Sequence, residues 1–114
     1  MTPQHKDLAA GRWKELPFIE QMANIGSEVE RALNWRTKNN LDYSQRAFER
    51  ALELVDLTLS GVTTAARLKE LARMREVLVD FFAGLNQFQS TEASWRRYFL
   101  PFAYAARSRH SFVS

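Results

Sequence analysis

No cysteine occurs in the chain. Its absence excludes a disulfide framework, a thiolate zinc site and a cysteine nucleophile. Four glycines and three prolines are all that punctuate 114 residues, too few turn formers for an all-β fold of many short strands. Histidine is as scarce. His5 and His110 lie near the two ends of the sequence, so no histidine is expected in a helix interior to act as a base. The inward Glu-x-x-His pairs of a ferritin-like metal centre are missing as well. No apolar run approaches the roughly 20 residues of a membrane-spanning helix; the longest, Val77–Leu85 and Tyr98–Ala106, fall well short. Met1–Arg12 is polar and lacks the apolar stretch of a secretory leader, so the cytoplasm is the expected address.

What is present is the composition of a globular domain, 46% hydrophobic and 25% charged, in a length suited to one core. Sixteen basic residues face 13 acidic ones, a net charge of +3. The signs alternate along the chain instead of collecting in one stripe. A solvated mixed surface is therefore expected, and specific nucleic-acid binding is not.

Hydrophobic period organises the rest. Phe18, Met22, Ile25, Val29 and Ala32 recur at helical spacing, with Ile19 and Leu33 beside them, after Pro17 at a first-turn position. This predicts a helix over 17–38, ended by Lys38-Asn39-Asn40. A second helix is expected over 42–60, with Asp42 and Gln45 as an acidic capping box. Its stripe is Tyr43, Ala47, Ala51, Leu54, Val55 and Thr58. A third, over 64–83, follows Thr63 or Thr64 and turns Leu68, Leu71, Ala72, Leu78, Val79 and Phe82 inward, with Gly84 as the C′ residue. A fourth, over 91–107, starts at Ser90 or Thr91 and aligns Trp95, Tyr98, Phe99, Phe102, Ala103 and Ala106. Pro101 falls off that stripe, which implies a kinked helix with the proline toward solvent. The expected fold is all-α: a four-helix bundle, mainly antiparallel, over 17–107. A flexible arm (1–16), anchored through Trp13 and Leu16, and a frayed tail (108–114) complete it.

Two kinds of residue break the bundle pattern. Arg75 sits among Leu71, Leu78 and Val79, and Arg36 holds a similar place seven residues after Val29. A buried guanidinium needs acceptors, and either arginine can find them in a carboxylate of another helix or in a bound anion. Asn24, Glu28, Arg31 and Trp35 form a strip off the apolar face of the first helix. Leu57, Leu100 and Tyr104 also lie off the main stripes. Together these are interface candidates, because tryptophan, tyrosine and arginine concentrate at contact surfaces. Arg96, Arg97, Arg107 and Arg109 flank the aromatics of the fourth helix, a pattern shared by single-stranded nucleic-acid surfaces and by ordinary helical cores. Arg73, three residues from both Glu70 and Glu76, reads as helix ion pairing. No catalytic pair, cofactor or metal is indicated.

The phrases Asn24-Ile25-Gly26-Ser27-Glu28-Val29, Arg67-Leu68-Lys69-Glu70-Leu71 and Phe102-Ala103-Tyr104-Ala105-Ala106-Arg107 are similar to those of small uncharacterised prokaryotic helical-bundle proteins. In overall layout the chain also resembles HEPN domains, helical bundles associated with RNA cleavage or with nucleotidyltransferase partners. Their nuclease motif, an arginine followed after four to six residues by histidine, would have to end at His110. The three positions it allows hold Ala103, Tyr104 and Ala105, so the resemblance implies no nuclease activity. The expected function is a non-enzymatic protein–protein interaction module, associating with itself as a dimer or higher and with a further protein. The alternatives are a nucleic-acid-associated protein of RNA-processing or toxin–antitoxin type, and an anion-binding bundle centred on Arg75.

Overall fold

The four apolar stripes become four long helices, and each begins where a side chain or carbonyl can satisfy free backbone N–H groups. The structure, a computed structural model, describes residues 11–113, with side-chain surroundings for 11–108. The described residues form five helices and no strand: α1 (Trp13–Glu15), α2 (Phe18–Thr37), α3 (Leu41–Gly61), α4 (Ala65–Ala83) and α5 (Glu92–Val113). Residues 1–10 of the expected arm lie outside the described residues. Helix α5 continues past 107, where the apolar pattern stops, to Val113.

Local chemistry accounts for the boundaries. Pro17 accepts the Gln21 N–H at the head of α2. Asn40, not Asp42, caps α3: its Oδ1 accepts the Tyr43 N–H at 3.1 Å. Asp42 instead lies in the first turn, where a carboxylate suits the helix dipole, and pairs with Arg46 at 3.1 Å. Thr64 caps α4 through the Arg67 N–H. Thr91 caps α5 in a reciprocal arrangement, its Oγ1 accepting from the Ser94 N–H and its own N–H donating to Ser94 Oγ. Asn39 takes the left-handed conformation that ends α2, with φ 62°. At the end of α4 the left-handed residue is Asn86 (φ 55°), whereas Gly84 is extended. The Asp80 carbonyl accepts from both Gly84 and Asn86. The Asp80 carboxylate takes the N–H groups of Gln87 and Phe88, so one residue folds the α4/α5 connection.

The core lies among all four long helices. Met22, Ile25, Val29 and Leu33 of α2 meet Phe48, Leu54 and Val55 of α3, Leu71, Met74, Leu78 and Phe81 of α4, and Trp95 and Phe99 of α5. Helix α4 is rotated from its expected setting. Met74 and Phe81 are buried, while Ala72 is exposed and Leu68 is 50% exposed. The larger side chains remove more apolar area from water than an alanine does, and the helix turns to bury them.

Two close contacts hold the helices together. Trp13 is buried to 2% exposure; its indole N–H donates to Thr58 Oγ1 at 3.0 Å and its carbonyl accepts from Gln21 Nε2 at 2.9 Å. The start of the described chain is thereby pinned to α2 and α3 without an orphaned polar group. The second contact is closer still. Gly26 lies inside α2, where glycine costs about 1 kcal/mol relative to alanine. A Cβ added there would stand 2.9 Å from Phe99 Cβ, so the missing side chain is what lets α5 approach. Pro101 also lies within α5, with its ring exposed, and the Arg97 carbonyl that its missing N–H frees can turn to water.

Gly26→Ala tests this packing. The propensity gain is outweighed by a clash with an atom fixed to the α5 backbone, so stability should fall by about 1–2 kcal/mol. Urea denaturation measures it; a gain in stability contradicts the contact.

Candidate functional site

Beside the Gly26/Phe99 contact, α2 and α5 frame an open groove of about 660 Å³. Its apolar lining includes Val29, Leu33, Trp95 and Phe99 from the core, with Leu100 and Ala103 along the α5 edge. Leu100 is 61% exposed, and Tyr104, one helical turn on, is 67% exposed. The two make a continuous apolar ridge on α5.

The polar rim is asymmetric in charge. Arg96 is fully engaged: its Nε donates to Glu30 at 2.8 Å, its Nη1 lies 3.5 Å from Glu92, and its Nη2 donates to Asn34. Hydrogen bonding to Glu30 raises the Arg96 pKa above its ordinary value. Arg97 and Arg107 line the same groove but have no carboxylate partner among the described residues. Since Arg96 neutralises Glu30, these two arginines supply the net charge of the groove.

The strip on α2 is placed differently. Glu28 is only 13% exposed at its side chain, held between Arg31 at 3.1 Å and Arg50 at 3.2 Å. Asn24 turns back to the Glu20 carbonyl. Trp35 is half-buried and meets Tyr43 of α3 edge to face, with ring centroids 4.9 Å apart. Lys38 lies over the Trp35 ring and Arg46 over the Tyr43 ring, contacts worth about 0.5–1 kcal/mol each at an exposed site. Leu41, next to this corner, is exposed. Leu57 is half-buried and packs on the core.

The two anion candidates engage separate partners. Arg75 reaches across to α3, where its Nε and Nη2 donate to the two carboxylate oxygens of Asp56 at 2.8 and 3.4 Å. That hydrogen bonding raises its pKa, against a smaller opposing effect of burial. The pair is partly open to solvent, with Arg75 39% exposed at its side chain. The rotation of α4 explains this position: with Met74 turned inward, Arg75 falls at the edge of the buried seam. Arg36 lies over the Phe81 ring, 4.3 Å from its centroid. One polar link escaped sequence reasoning. The Tyr98 hydroxyl donates to Glu70 at 2.8 Å, joining α5 to α4. Burial foremost, and then this bond, pushes the phenol pKa well up.

Among the described residues, no three or more His, Cys, Asp and Glu side chains gather where they could hold a metal ion. No described helix is long and apolar enough to cross a membrane. Comparison with protein-family models, with curated proteins and with solved structures returned no match.

Two measurements check these contacts. An Arg75→Met, Asp56→Asn double-mutant cycle should give a coupling of no more than about 1 kcal/mol, the range of exposed ion pairs. With Asp56 filling the guanidinium, phosphate should shift Tm equally in wild type and Arg75→Met; a shift confined to wild type contradicts the assignment. For Tyr98, the unfolded phenol ionises near about pH 10 while the folded one keeps its proton. Stability is therefore level below that pH and falls as pH rises above it, because the unfolded state alone gives up the proton. The fall should be shallower in Tyr98→Phe, and identical slopes contradict the burial of the phenol.

Proposed function

We propose that this chain is a non-enzymatic helical module that acts through protein–protein contacts and associates with itself as a dimer or higher. In this reading the four long helices form a mainly antiparallel four-helix bundle, with α5 bent at Pro101. The observation that carries it is the α2/α3 corner. Trp35 and Tyr43 meet edge to face there beside exposed Leu41, under the cations of Lys38 and Arg46. A contact between identical patches demands charges that tolerate facing themselves. At this corner Asp42 pairs with Arg46, and on the strip leading to it Glu28 pairs with Arg31. The aromatic rings then offer rigid contact area at low entropic cost.

Among the described residues, Arg31, Arg46, Arg50, Arg75 and Arg96 are paired with carboxylates, which lowers the positive charge open to a polyanion. That favours a protein partner over the nucleic-acid alternative, since phosphate binding scales with the cations available to it. An anion-binding role for Arg75 would first require displacing Asp56.

Sedimentation velocity tests the reading. Wild type at high micromolar concentration should sediment as a dimer or larger, and Leu41→Asp with Tyr43→Glu should sediment as a monomer with unchanged helical circular dichroism. A monomeric wild type contradicts self-association, and undiminished association of the double variant contradicts the corner.

A further inference from the structure

We infer that the α2/α5 groove is a second docking surface, and that its occupant is an amphipathic helix of another protein with two carboxylates flanking an apolar stripe. The inference rests on the interaction-module reading but uses a different surface and a different partner from the α2/α3 corner.

Charge selects the occupant. Arg97 and Arg107 both line the groove without partners among the described residues. Ten residues of helix separate them, about 15 Å along α5. Between them lie the Leu100 edge and the apolar lining formed with Val29, Leu33 and Phe99. A helix laid along the groove meets this pattern with leucine-like residues at i, i+3, i+4 and i+7 and with acidic residues ten or eleven positions apart.

Backbone chemistry selects the form. The walls are two helices whose main-chain groups are already bonded, so an extended peptide would find no ladder partners and would desolvate its own N–H and C=O groups at a cost. A helix brings its backbone already satisfied. A single-headed apolar acid would neutralise only one of the two arginines.

The same charges exclude a second copy. Antiparallel two-fold pairing of α5 about its exposed ridge, centred between Leu100 and Tyr104, sets Arg97 opposite Arg107 of the second copy. Like charges would then meet at both ends of the contact, which disfavours it strongly.

The test uses the full chain and a labelled synthetic helical peptide carrying that leucine stripe between two glutamates, read by fluorescence anisotropy. The glutamate peptide should bind at least about tenfold more tightly than the same peptide with lysines in their place. Arg97→Glu and Arg107→Glu should each weaken it by a similar factor, and Leu100→Asp should weaken both peptides. Lys69→Glu, on the exposed side of α4 away from the groove, should leave binding unchanged. Absence of saturable binding at about 100 μM peptide overturns the inference, as do equal affinities for the two peptides. A single-stranded RNA oligonucleotide that binds through Arg97 and Arg107 at physiological salt, where the peptide does not, overturns it in favour of nucleic acid. An oligomeric state changed by Arg97→Glu overturns it in favour of a self-contact. If the peptide fails while Leu41→Asp with Tyr43→Glu still dissociates the oligomer, this inference falls and the interaction-module reading stands.

Discussion

The contact of Gly26 with Phe99 is the constraint on which the arrangement of α5 depends. A side chain at position 26 would hold the helices apart. Without one, the Phe99 ring drops onto the α2 backbone, and its neighbours on α5 are placed in consequence. Trp95 enters the core, Arg96 comes within reach of Glu30 and Asn34, and Tyr98 meets Glu70. The groove is the remainder of the same geometry. Where α2 and α5 touch at a glycine, the space flanking that point is left lined by Val29, Leu33, Leu100 and Ala103. A local loss of helix propensity in α2 thus sets both the packing of α5 and the shape of the exposed face.

The helices were legible in the sequence because their causes are local. Apolar period located all four long ones, α2, α3 and α4 to within one residue at each end, while α5 runs six residues past its expected end to Val113; Thr64, Thr91 and Asn39 act as boundary residues as their chemistry suggests. Errors arose where two local solutions competed. Asn40 and Asp42 can each cap a helix, and Asn40 does so because its side chain reaches the Tyr43 N–H. In α4 the wheel drawn through Ala72 and Val79 differs by a small rotation from the one through Met74 and Phe81. Only the facing helices decide between them. That rotation also moved Arg75 from the middle of a stripe to its edge, beside an α3 carboxylate that no spacing within α4 could reveal.

The proposed contact surfaces were legible only in part. Trp35, Leu100 and Tyr104 stand out because they lie off their helices' stripes, a property of each helix alone. Arg97 and Arg107 looked like any arginines beside aromatics. Their distinction is the lack of a carboxylate partner among the described residues, visible once Arg96 is seen to take Glu30 and Glu92. Gly26 was part of a quoted phrase without a role, since close approach belongs to a pair of helices. The two proposed surfaces differ in how their arginines are held: at the α2/α3 corner Arg46 is paired with Asp42, whereas Arg97 and Arg107 line the groove with no carboxylate partner among the described residues.

The central claim is that α5 lies against the α2 backbone at Gly26. Nuclear Overhauser spectroscopy of the labelled protein measures it directly. The account predicts cross-peaks between the Gly26 α-protons and the Phe99 ring protons, with the glycine α-protons displaced by the ring current. Gly26 α-protons at ordinary shifts, with no cross-peak to Phe99, would contradict it.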